Sequence, residues 1–228
     1  MVSGVLLLAD AGLTFFWQEP VSAYLGQREQ VKLEQELEQP PPRVVRREPL
    51  PGDALGKLEI PAIDVSTYVV EGTDTDNLRK GPGHYPDTPL PGERGTVAIA
   101  GHRTTYGAPF RDLDQLERGD EIELEMPYGT FYYRVRRIRI VDDSALWITR
   151  RVRYDQLVLS ACHPLYSAAQ RIVAFARLVR RAAPKVRSGR TTPRARPRPR
   201  HRADRAPRRT ARAAPTAPAR SQAQRANR

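Results

Sequence analysis

The sequence predicts a mainly β domain, in which seven or eight short strands close into a barrel and helix is scarce. Two observations support this prediction. Between residues 54 and 180, most runs of alternating or continuously apolar residues are only about four to eight residues long. Turns rich in Gly, Pro and Asp separate these runs. Many short strands at regular spacing are typical of sandwiches and barrels, and a closed barrel leaves no strand edge unpaired.

The predicted strands follow one another along the chain with turn signals between them. Seven segments show the strand pattern: residues 56–60, 65–70, 96–100, 120–125, 130–141, 157–161 and 172–176. Asp74 is a good cap for a short helix over residues 74–79, because its carboxylate can accept hydrogen bonds from the first turn. The Pro- and Gly-rich residues 81–86 and 89–92 predict loops.

Residues 1–20 are predicted to be a membrane anchor, so the architecture includes an N-terminal membrane helix. Residues 2–17 are mostly apolar. At about 1.5 Å per residue they span roughly 24 Å, less than the roughly 30 Å hydrocarbon core, so we expect a truncated anchor. Asp10 in its middle would cost about 2.5–3.5 kcal/mol. The alternative is a buried or interfacial helix, whereas the missing basic start disfavours a cleaved signal peptide.

The remaining segments divide by composition. Residues 21–53 begin with good helix formers and continue into three consecutive prolines, which predicts a helical and proline-rich stalk. Residues 54–180 are the predicted folded domain, and one domain of this size can bury an independent core. Residues 181–228 lack Trp, Phe, Tyr, Ile and Leu and are predicted to be disordered.

The basic character of the chain is concentrated in this tail. Of the 38 Lys and Arg residues, 16 lie in residues 181–228, whereas residues 1–180 hold 22 basic and 25 acidic residues, a net charge near −3. A nucleic-acid-binding fold needs its basic residues on structured elements, so we expect no nucleic-acid partner. Three interpretations of the tail remain open: adhesion to anionic wall polymers or lipid headgroups, a solvated tail, or GC-rich DNA translated out of frame.

The chain has a single cysteine, Cys162, and it follows an apolar run directly. His102 also follows a predicted strand, and Arg171 opens another. A lone thiol, a histidine and an arginine in these positions are the components of a thiol acyl-transfer site. The alternative is that Cys162 is a small buried apolar residue without chemistry.

Three motifs around these residues resemble those of the sortases, cysteine transpeptidases that attach secreted proteins to Gram-positive cell walls. They are VLSAC at residues 158–162 with CHP continuing to residue 164, an arginine that opens the next strand, and GHRTTYGAPF at residues 101–110. The family pattern before the cysteine is Thr-Leu-X-Thr-Cys, so both threonines are replaced here. The histidine segment and the CHP sequence look most like class E, the housekeeping sortases of actinobacteria. The resemblance covers residues 55–178 and also implies a β-barrel.

The resemblance assigns roles to individual residues. Cys162 would be the nucleophile, His102 the general acid and base, and Arg171 the group that stabilises the oxyanion and holds the substrate. Tyr106, Ala161 and His84 are expected at the substrate, with Tyr106 at the position that class E uses to favour Ala over Pro. His163 adjoins the nucleophile, but neighbours in an extended chain point to opposite sides, which argues against it as the base.

The resemblance also implies partners. The substrates would be secreted proteins with a C-terminal Leu-(Ala/Pro)-X-Thr-Gly sorting signal, cut between Thr and Gly, and the acceptor would be an amine on lipid II or peptidoglycan. The enzyme would lie in the cell membrane with one span and an extracellular catalytic domain. We expect no cofactor and no metal, and Glu121, Glu123 and Glu125 are interpreted as a solvated strand face. Two alternatives remain: a pilus-type sortase that joins protein to protein, or a non-enzymatic, membrane-anchored barrel that binds wall polymers.

Overall fold

Eight strands close into a barrel in a computed structural model that describes residues 2–184, with side chains from residue 21 onward. The strands are β1 (Ala54–Ile60), β2 (Val65–Glu71), β3 (Gly83–His84), β4 (Thr96–Ala100), β5 (Glu121–Met126), β6 (Gly129–Asp142), β7 (Gln156–His163) and β8 (Gln170–Ala182). Their order around the barrel is β1-β2-β3-β4-β7-β8-β6-β5. The predicted closed barrel of seven to eight strands is thus confirmed.

Most strand neighbours are antiparallel, but β4 pairs with β7 and β2 with β3 in parallel. All seven predicted strands are present, and the eighth, β3, lies within a predicted loop because two residues are too few to show a pattern. Strand β8 runs to Ala182, so the ordered barrel continues two residues past the predicted end at residue 180. The rest of the predicted tail, residues 185–228, lies outside the described residues.

Side-chain alternation divides each strand of the barrel wall between the core and an outer face. On β7, Leu157, Leu159 and Ala161 join the main core, which they share with Ile172 and Ala174 of β8. The alternate positions point outward, and a smaller apolar cluster covers part of them, formed by Ala98, Ile148, Val158, Val173 and Phe175. Because successive side chains of a strand point to opposite faces, residues two or four positions from Val158 or Val173 on the same strand also face outward.

The N-terminal helix α1 (Val2–Glu38) packs against the barrel. Leu33 and Leu37 are buried with Ala54 and Val70 of the first two strands. Gln30 ties the helix down further: its amide donates to the carbonyls of Tyr68 and Lys80 and its oxygen accepts from the Tyr68 N–H and the Thr67 hydroxyl. Among the described helices, none has both the length and the apolarity needed to cross a membrane.

Residues 21–53 therefore differ from the stalk that the sequence predicts. The helix forms, but its leucines four apart bury one face instead of leaving it in solvent. The prolines do not extend the chain, because Pro42 begins a second helix, α2 (Pro42–Val45), whose Val44 enters the barrel core. Arg43 donates to Asp53 at 2.7 Å and, with a backbone N–H, lowers the pKa of that carboxyl.

Helix α3 (Thr75–Leu78) confirms the predicted capped helix. The Asp74 carboxylate accepts from the N–H groups of Asp76 and Asn77, both at 3.1 Å. These hydrogen bonds, the one from Asn77 above all, lower the pKa of Asp74. Three 3₁₀ turns that the sequence does not predict connect other strands: Pro61–Ile63, Leu113–Gln115 and Leu146–Thr149.

Candidate active site

The strand register places Cys162 opposite Arg171 and beside the end of β4, two residues before His102. On the antiparallel pair β7–β8, Cys162 lies directly opposite Arg171. On the parallel pair β4–β7, Ala100 is the partner of Ser160, and the Gly101 N–H donates to the Ser160 carbonyl at 3.0 Å. His102 follows Gly101, so the chain reaches His102 just after β4 ends next to β7, the strand that carries Cys162. Side chains that are direct cross-strand partners have Cβ atoms about 4.5–5.5 Å apart.

The sequence period explains why these side chains share one face. On β7, Cys162 lies on the same side of the strand as Ser160 and Val158, and on β8, Arg171 lies on the same side as Val173 and Phe175. All of these side chains point away from the main core. We call the outer face of β4, β7 and β8 that carries His102, Cys162 and Arg171 the site face. The Cys162 thiol is half-buried and forms no disulfide, so a reactant can reach it from this face.

His102 is half-buried in the loop that follows β4. Its Nε2 is buried and forms no hydrogen bond with any described residue, and its ring centroid lies 5.2 Å from that of Tyr106. Burial lowers the pKa of His102, and the positive charge of Arg79 lowers it further. The loop is closed by the Phe110 N–H, which donates to the His102 carbonyl at 3.0 Å. A neutral imidazole with an unused nitrogen can exchange a proton with a bound group.

Arg171 is held at the mouth of the β7–β8 loop. Its Nη1 donates to the carbonyls of Ala168 at 2.9 Å and Gln170 at 3.0 Å. These two contacts use the hydrogens of Nη1 and set the guanidinium plane, which carries three further N–H groups on Nε and Nη2. The loop thus orients a permanently charged fork beside the thiol.

His163, the other histidine next to Cys162, is engaged elsewhere. Arg103 donates from Nη1 to His163 Nδ1 at 3.2 Å, and it is itself buried, with an ion pair to Asp114 at 2.9 Å. Arg103 also donates twice to the Arg111 carbonyl. These contacts link the loop after His102 to the end of β7.

Two residues expected at the substrate lie away from the site face. Ala161 is the sequence neighbour of Cys162, but it is 4% exposed and belongs to the barrel core, because alternation turns it inward. His84 is 1% exposed, with Nδ1 at 2.9 Å from Glu71 and Nε2 at 3.1 Å from both the Pro89 carbonyl and the Thr88 hydroxyl. A ring with both nitrogens engaged in a buried network has none left for a peptide.

Helix α1 reaches the site through Tyr106, a contact that sequence reasoning missed. The Tyr106 N–H donates to Ser22 Oγ at 3.3 Å. Gly26 packs so closely that a Cβ there would lie 2.9 Å from the Tyr106 carbonyl carbon and oxygen. Tyr106, Gly107 and Ala108 all have positive φ values, of 52°, 77° and 44°. The available signal was Gly26 itself, since glycine in a helix costs roughly 0.5–1 kcal/mol relative to alanine.

Gly26→Ala is expected not to stabilise the protein. In an open helix the change would add about 1 kcal/mol of stability. Here the new methyl group must push the Tyr106 loop away, and the pKa of His102 should rise toward its ordinary value as burial of the ring is lost. The measurements are a melting curve and an NMR titration of His102. Arg28→Ala on the exposed side of the same helix is the control, and a full rise in Tm for Gly26→Ala with an unchanged titration would contradict the contact.

The lowered pKa of His102 predicts a pH dependence of stability. As the pH falls below the ordinary histidine value of 6.5, the unfolded chain takes up this proton before the folded one does. The free energy of unfolding should therefore decrease as the pH falls from 6.5 toward the lower pKa of the folded state. In His102→Gln this loss should disappear, while the losses caused by Asp53 and Asp74 at more acidic pH remain. Urea unfolding of both proteins between about pH 5 and 8 measures the histidine contribution; identical slopes for the two proteins would contradict the burial of His102.

Among residues 2–184, no three His, Cys, Asp or Glu side chains cluster as metal ligands would. On β5, Glu121, Glu123 and Glu125 alternate with the buried Ile122 and Leu124, so the acidic side chains face outward.

Comparison with known proteins finds one family. The sortase domain profile matches residues 58–179. Sortase D of Bacillus subtilis is 43% identical over 117 residues, which cover 51% of this chain and 58% of that protein. Sortase SrtE1 of Streptomyces coelicolor is 29% identical over 147 residues, covering 57% of this chain and 41% of that protein. The chain thus spans about half the length of these curated relatives.

Solved structures show the same fold. A Sortase D5 transpeptidase from Clostridium perfringens superposes with a TM-score of 0.60 over 69% of this chain and 99% of that one, at 23% identity. Sortase E from Streptomyces avermitilis superposes with a TM-score of 0.55 over 59% of this chain and 93% of that one, at 29% identity.

Proposed function

This chain belongs to the sortase family, and from that premise we propose that it is a cysteine transpeptidase whose nucleophile is the Cys162 thiol. The observation that supports the proposal best is the strand register, which sets Cys162 opposite Arg171 and beside the exit of β4 toward His102. The substrate would be a C-terminal sorting signal of the form Leu-(Ala/Pro)-X-Thr-Gly, cut between Thr and Gly.

In the first step the Cys162 thiolate attacks the threonine carbonyl. The S–C bond forms, the carbonyl π electrons move to oxygen, and the C–N bond to glycine then breaks. His102 as imidazolium gives its proton to the departing glycine amine, which leaves a thioester on Cys162. In the second step an acceptor amine attacks the thioester, His102 takes a proton from it, and the thiolate departs. The new amide carries the protein on the acceptor.

The protonation states of the thiol and the imidazole limit the rate of this reaction. The first step needs the Cys162 thiolate and the His102 imidazolium in the same molecule. Burial lowers the pKa of His102, which reduces the fraction of molecules that carry the imidazolium. Because His102 Nε2 is buried, substrate binding would have to open a path to it before the ring exchanges a proton with the peptide. The proposal therefore describes a slow enzyme whose site becomes active on binding substrate.

Arg171 would stabilise the developing oxyanion and hold the substrate backbone. The Ala168 and Gln170 carbonyls orient its guanidinium through Nη1, so the N–H groups on Nε and Nη2 can reach a peptide lying on the site face. Charge-assisted donors aimed at an oxyanion are among the largest contributions to catalysis of acyl transfer. Because arginine stays protonated, it supplies this charge without entering the proton transfers.

Tyr106 is proposed to contact the residue after leucine in the sorting signal. Its ring lies against His102, and its backbone is held by helix α1. Two observations support different preferences for the residue after leucine. The motif at residues 101–110 supports a class E-like enzyme that prefers Ala, whereas the greater identity to a relative named Sortase D supports a class D-like one. Relative kcat/KM for Leu-Ala-X-Thr-Gly and Leu-Pro-X-Thr-Gly peptides tests the preference for Ala that the class E-like motif predicts.

The acceptor is proposed to be an amine on a cell-wall precursor, lipid II or peptidoglycan, and the protein to be a single-pass membrane protein with its catalytic domain outside the cell. The apolar residues 2–17 and the family resemblance support this location. Protease digestion of intact cells tests it, since an extracellular barrel would be cut without lysis.

The experiment that tests the activity uses the full chain, a sorting-signal peptide and an oligoglycine amine or hydroxylamine. Mass spectrometry should find a product in which threonine carries the added amine. A product formed instead on a lysine side chain of a protein acceptor would identify a pilus-type enzyme. The absence of both products, with Cys162 alkylated no faster than a free thiol, would leave the non-enzymatic, wall-binding alternative.

A further inference from the structure

The charge of the barrel is strongly divided along the chain, although its sum is small. Residues 134–181 hold eleven arginines and three acidic residues, whereas residues 21–133 hold 12 basic and 20 acidic residues. The first group lies on β6, the loop after it, and β8, which are hydrogen-bonded neighbours over most of their length. The near-neutral sum expected from the sequence thus conceals a basic face on structured elements.

Six exposed arginines form this face, which we call the arginine strip. They are Arg134, Arg136, Arg137 and Arg139 on β6 and Arg177 and Arg180 on β8. None of them forms an ion pair with a carboxylate of residues 21–184, whereas the neighbouring Arg181 pairs with Asp155 at 2.6 Å. Surface arginines usually alternate with acids, so six together without one are free to bind an anion.

The register places two of these cations directly against each other. Arg134 of β6 is the cross-strand partner of Arg177 of β8. Like charges at directly opposite positions destabilise a sheet. On the other side of β6, the cross-strand partner of Arg134 is Glu121 of β5. The Glu121 carboxylate and the Arg134 guanidinium are too far apart to form an ion pair. A bound anion between the two strands would relieve this repulsion.

Aromatic rings hold three of the guanidiniums in place. Arg137 lies 4.8 Å above the Phe175 ring, Arg177 lies 5.1 Å above Tyr154, and Arg180 lies 3.4 Å above Tyr132. Stacking fixes a planar guanidinium and leaves its N–H edge available, which is the arrangement that suits bidentate contact with phosphate oxygens.

We propose that the arginine strip binds a linear polymer of phosphate groups. The arginine strip is two strands wide, and neighbouring strands are about 4.8 Å apart. A surface this narrow fits a linear polymer better than a flat membrane. Glu121, Glu123 and Glu125 of β5 face outward beside β6, and a flat anionic membrane would meet these carboxylates as well. At its other end the strip adjoins the site face, because Arg139 is opposite Val173, two residues from Arg171. A polymer bound there would extend toward the site face.

The test compares two variants with the same change in net charge. The strip variant carries Arg134→Gln, Arg137→Gln, Arg139→Gln and Arg177→Gln, and the control carries Lys32→Gln, Arg46→Gln, Arg94→Gln and Arg118→Gln at exposed positions elsewhere. Both are made in the full chain and in a chain that ends at Pro184. The shorter chain retains all eight strands and the entire core, and it removes the basic tail from the measurement.

The probe is fluorescently labelled inorganic polyphosphate, followed by anisotropy over a range of salt concentrations. In the shorter chain, the strip variant should bind at least about tenfold more weakly than the control and lower the slope of log K against log salt by about 3. Polyphosphate should raise the Tm of the wild type and the control but not of the strip variant. Peptide turnover in the strip variant should be unchanged, so failure here is distinct from failure of the proposed activity.

Two outcomes would overturn the proposal. Equal weakening in both variants would mean that only net charge attracts polyphosphate. Strip-dependent binding to phosphatidylglycerol vesicles without binding to polyphosphate would mean that the face meets a membrane surface instead. If the strip variant fails to fold, Arg134→Gln alone, which removes only the opposed pair, should still weaken binding and raise the Tm measured without polyphosphate.

Discussion

Cys162→Ala is expected to abolish peptide turnover and leave the barrel intact. The thiol is the proposed nucleophile, and neither His102 nor Arg171 can form the covalent intermediate in its place. Removing the sulfur from a half-buried position at the end of β7 creates no large cavity, so the Tm should change little. The measurement is the rate of product formation with peptide and amine, alongside a melting curve of the same preparation.

Two neighbours serve as controls for this variant. Ser160→Ala changes the preceding residue on the same face of β7 and should retain turnover. His163→Ala should also retain most turnover while lowering the Tm, because it removes the partner of buried Arg103. Residual transpeptidation by Cys162→Ala well above the uncatalysed rate would refute the nucleophile. A severe loss in His163→Ala, with His102→Ala active, would mean that the base has been misassigned.

Arg171→Lys is expected to lower kcat/KM by roughly 10²–10³, the loss seen when one oxyanion donor is removed. Lysine keeps the positive charge but presents a point donor on a flexible stem, and it cannot satisfy two loop carbonyls while reaching the substrate. The Tm should change little, since the side chain is half-exposed and its partners are the Ala168 carbonyl in the loop and the Gln170 carbonyl at the edge of β8. Kinetics on one peptide and a melting curve give both values.

Arg177→Lys is the matched control, because Arg177 lies on the same strand, points to the same face and is exposed. It should retain turnover of a small peptide. Near-wild-type kinetics in Arg171→Lys would reduce Arg171 to a bystander and would remove the strongest support for the site apart from the cysteine. A large fall in Tm would instead assign Arg171 a structural role in the β7–β8 loop.

Much of the candidate site could be predicted from the sequence because its parts lie at the ends of strands with clear patterns. The continuous apolar runs before His102 and Cys162 are strands β4 and β7, and Arg171 lies near the start of β8. Alternation then predicts which side each residue faces once one neighbour is known to be buried. It also explains why Ala161, adjacent to the thiol, points into the core, and why His163 cannot share the face of Cys162.

Other features depend on contacts between segments that are distant in the chain. The sequence predicts His84 in a loop, but its ring is buried and engaged by Glu71 of β2 as well as by the nearby Thr88 hydroxyl and Pro89 carbonyl. Ser22 lies 84 residues before Tyr106, and no local pattern in either segment predicts the contact between them.

The sequence by itself determined seven of the eight strands, their alternation and the cap of α3, because these depend on local pattern and short-range hydrogen bonding. The resemblance to sortase motifs added the three residues proposed for catalysis. Only the tertiary structure decided that residues 21–53 pack on the barrel, that helix α1 supports Tyr106, and that β6 and β8 combine their arginines into one face. Composition could not show this division of charge, because the net charge does not depend on which strands pair or at which residues. Register arises only when strands from different parts of the chain pair and close the barrel.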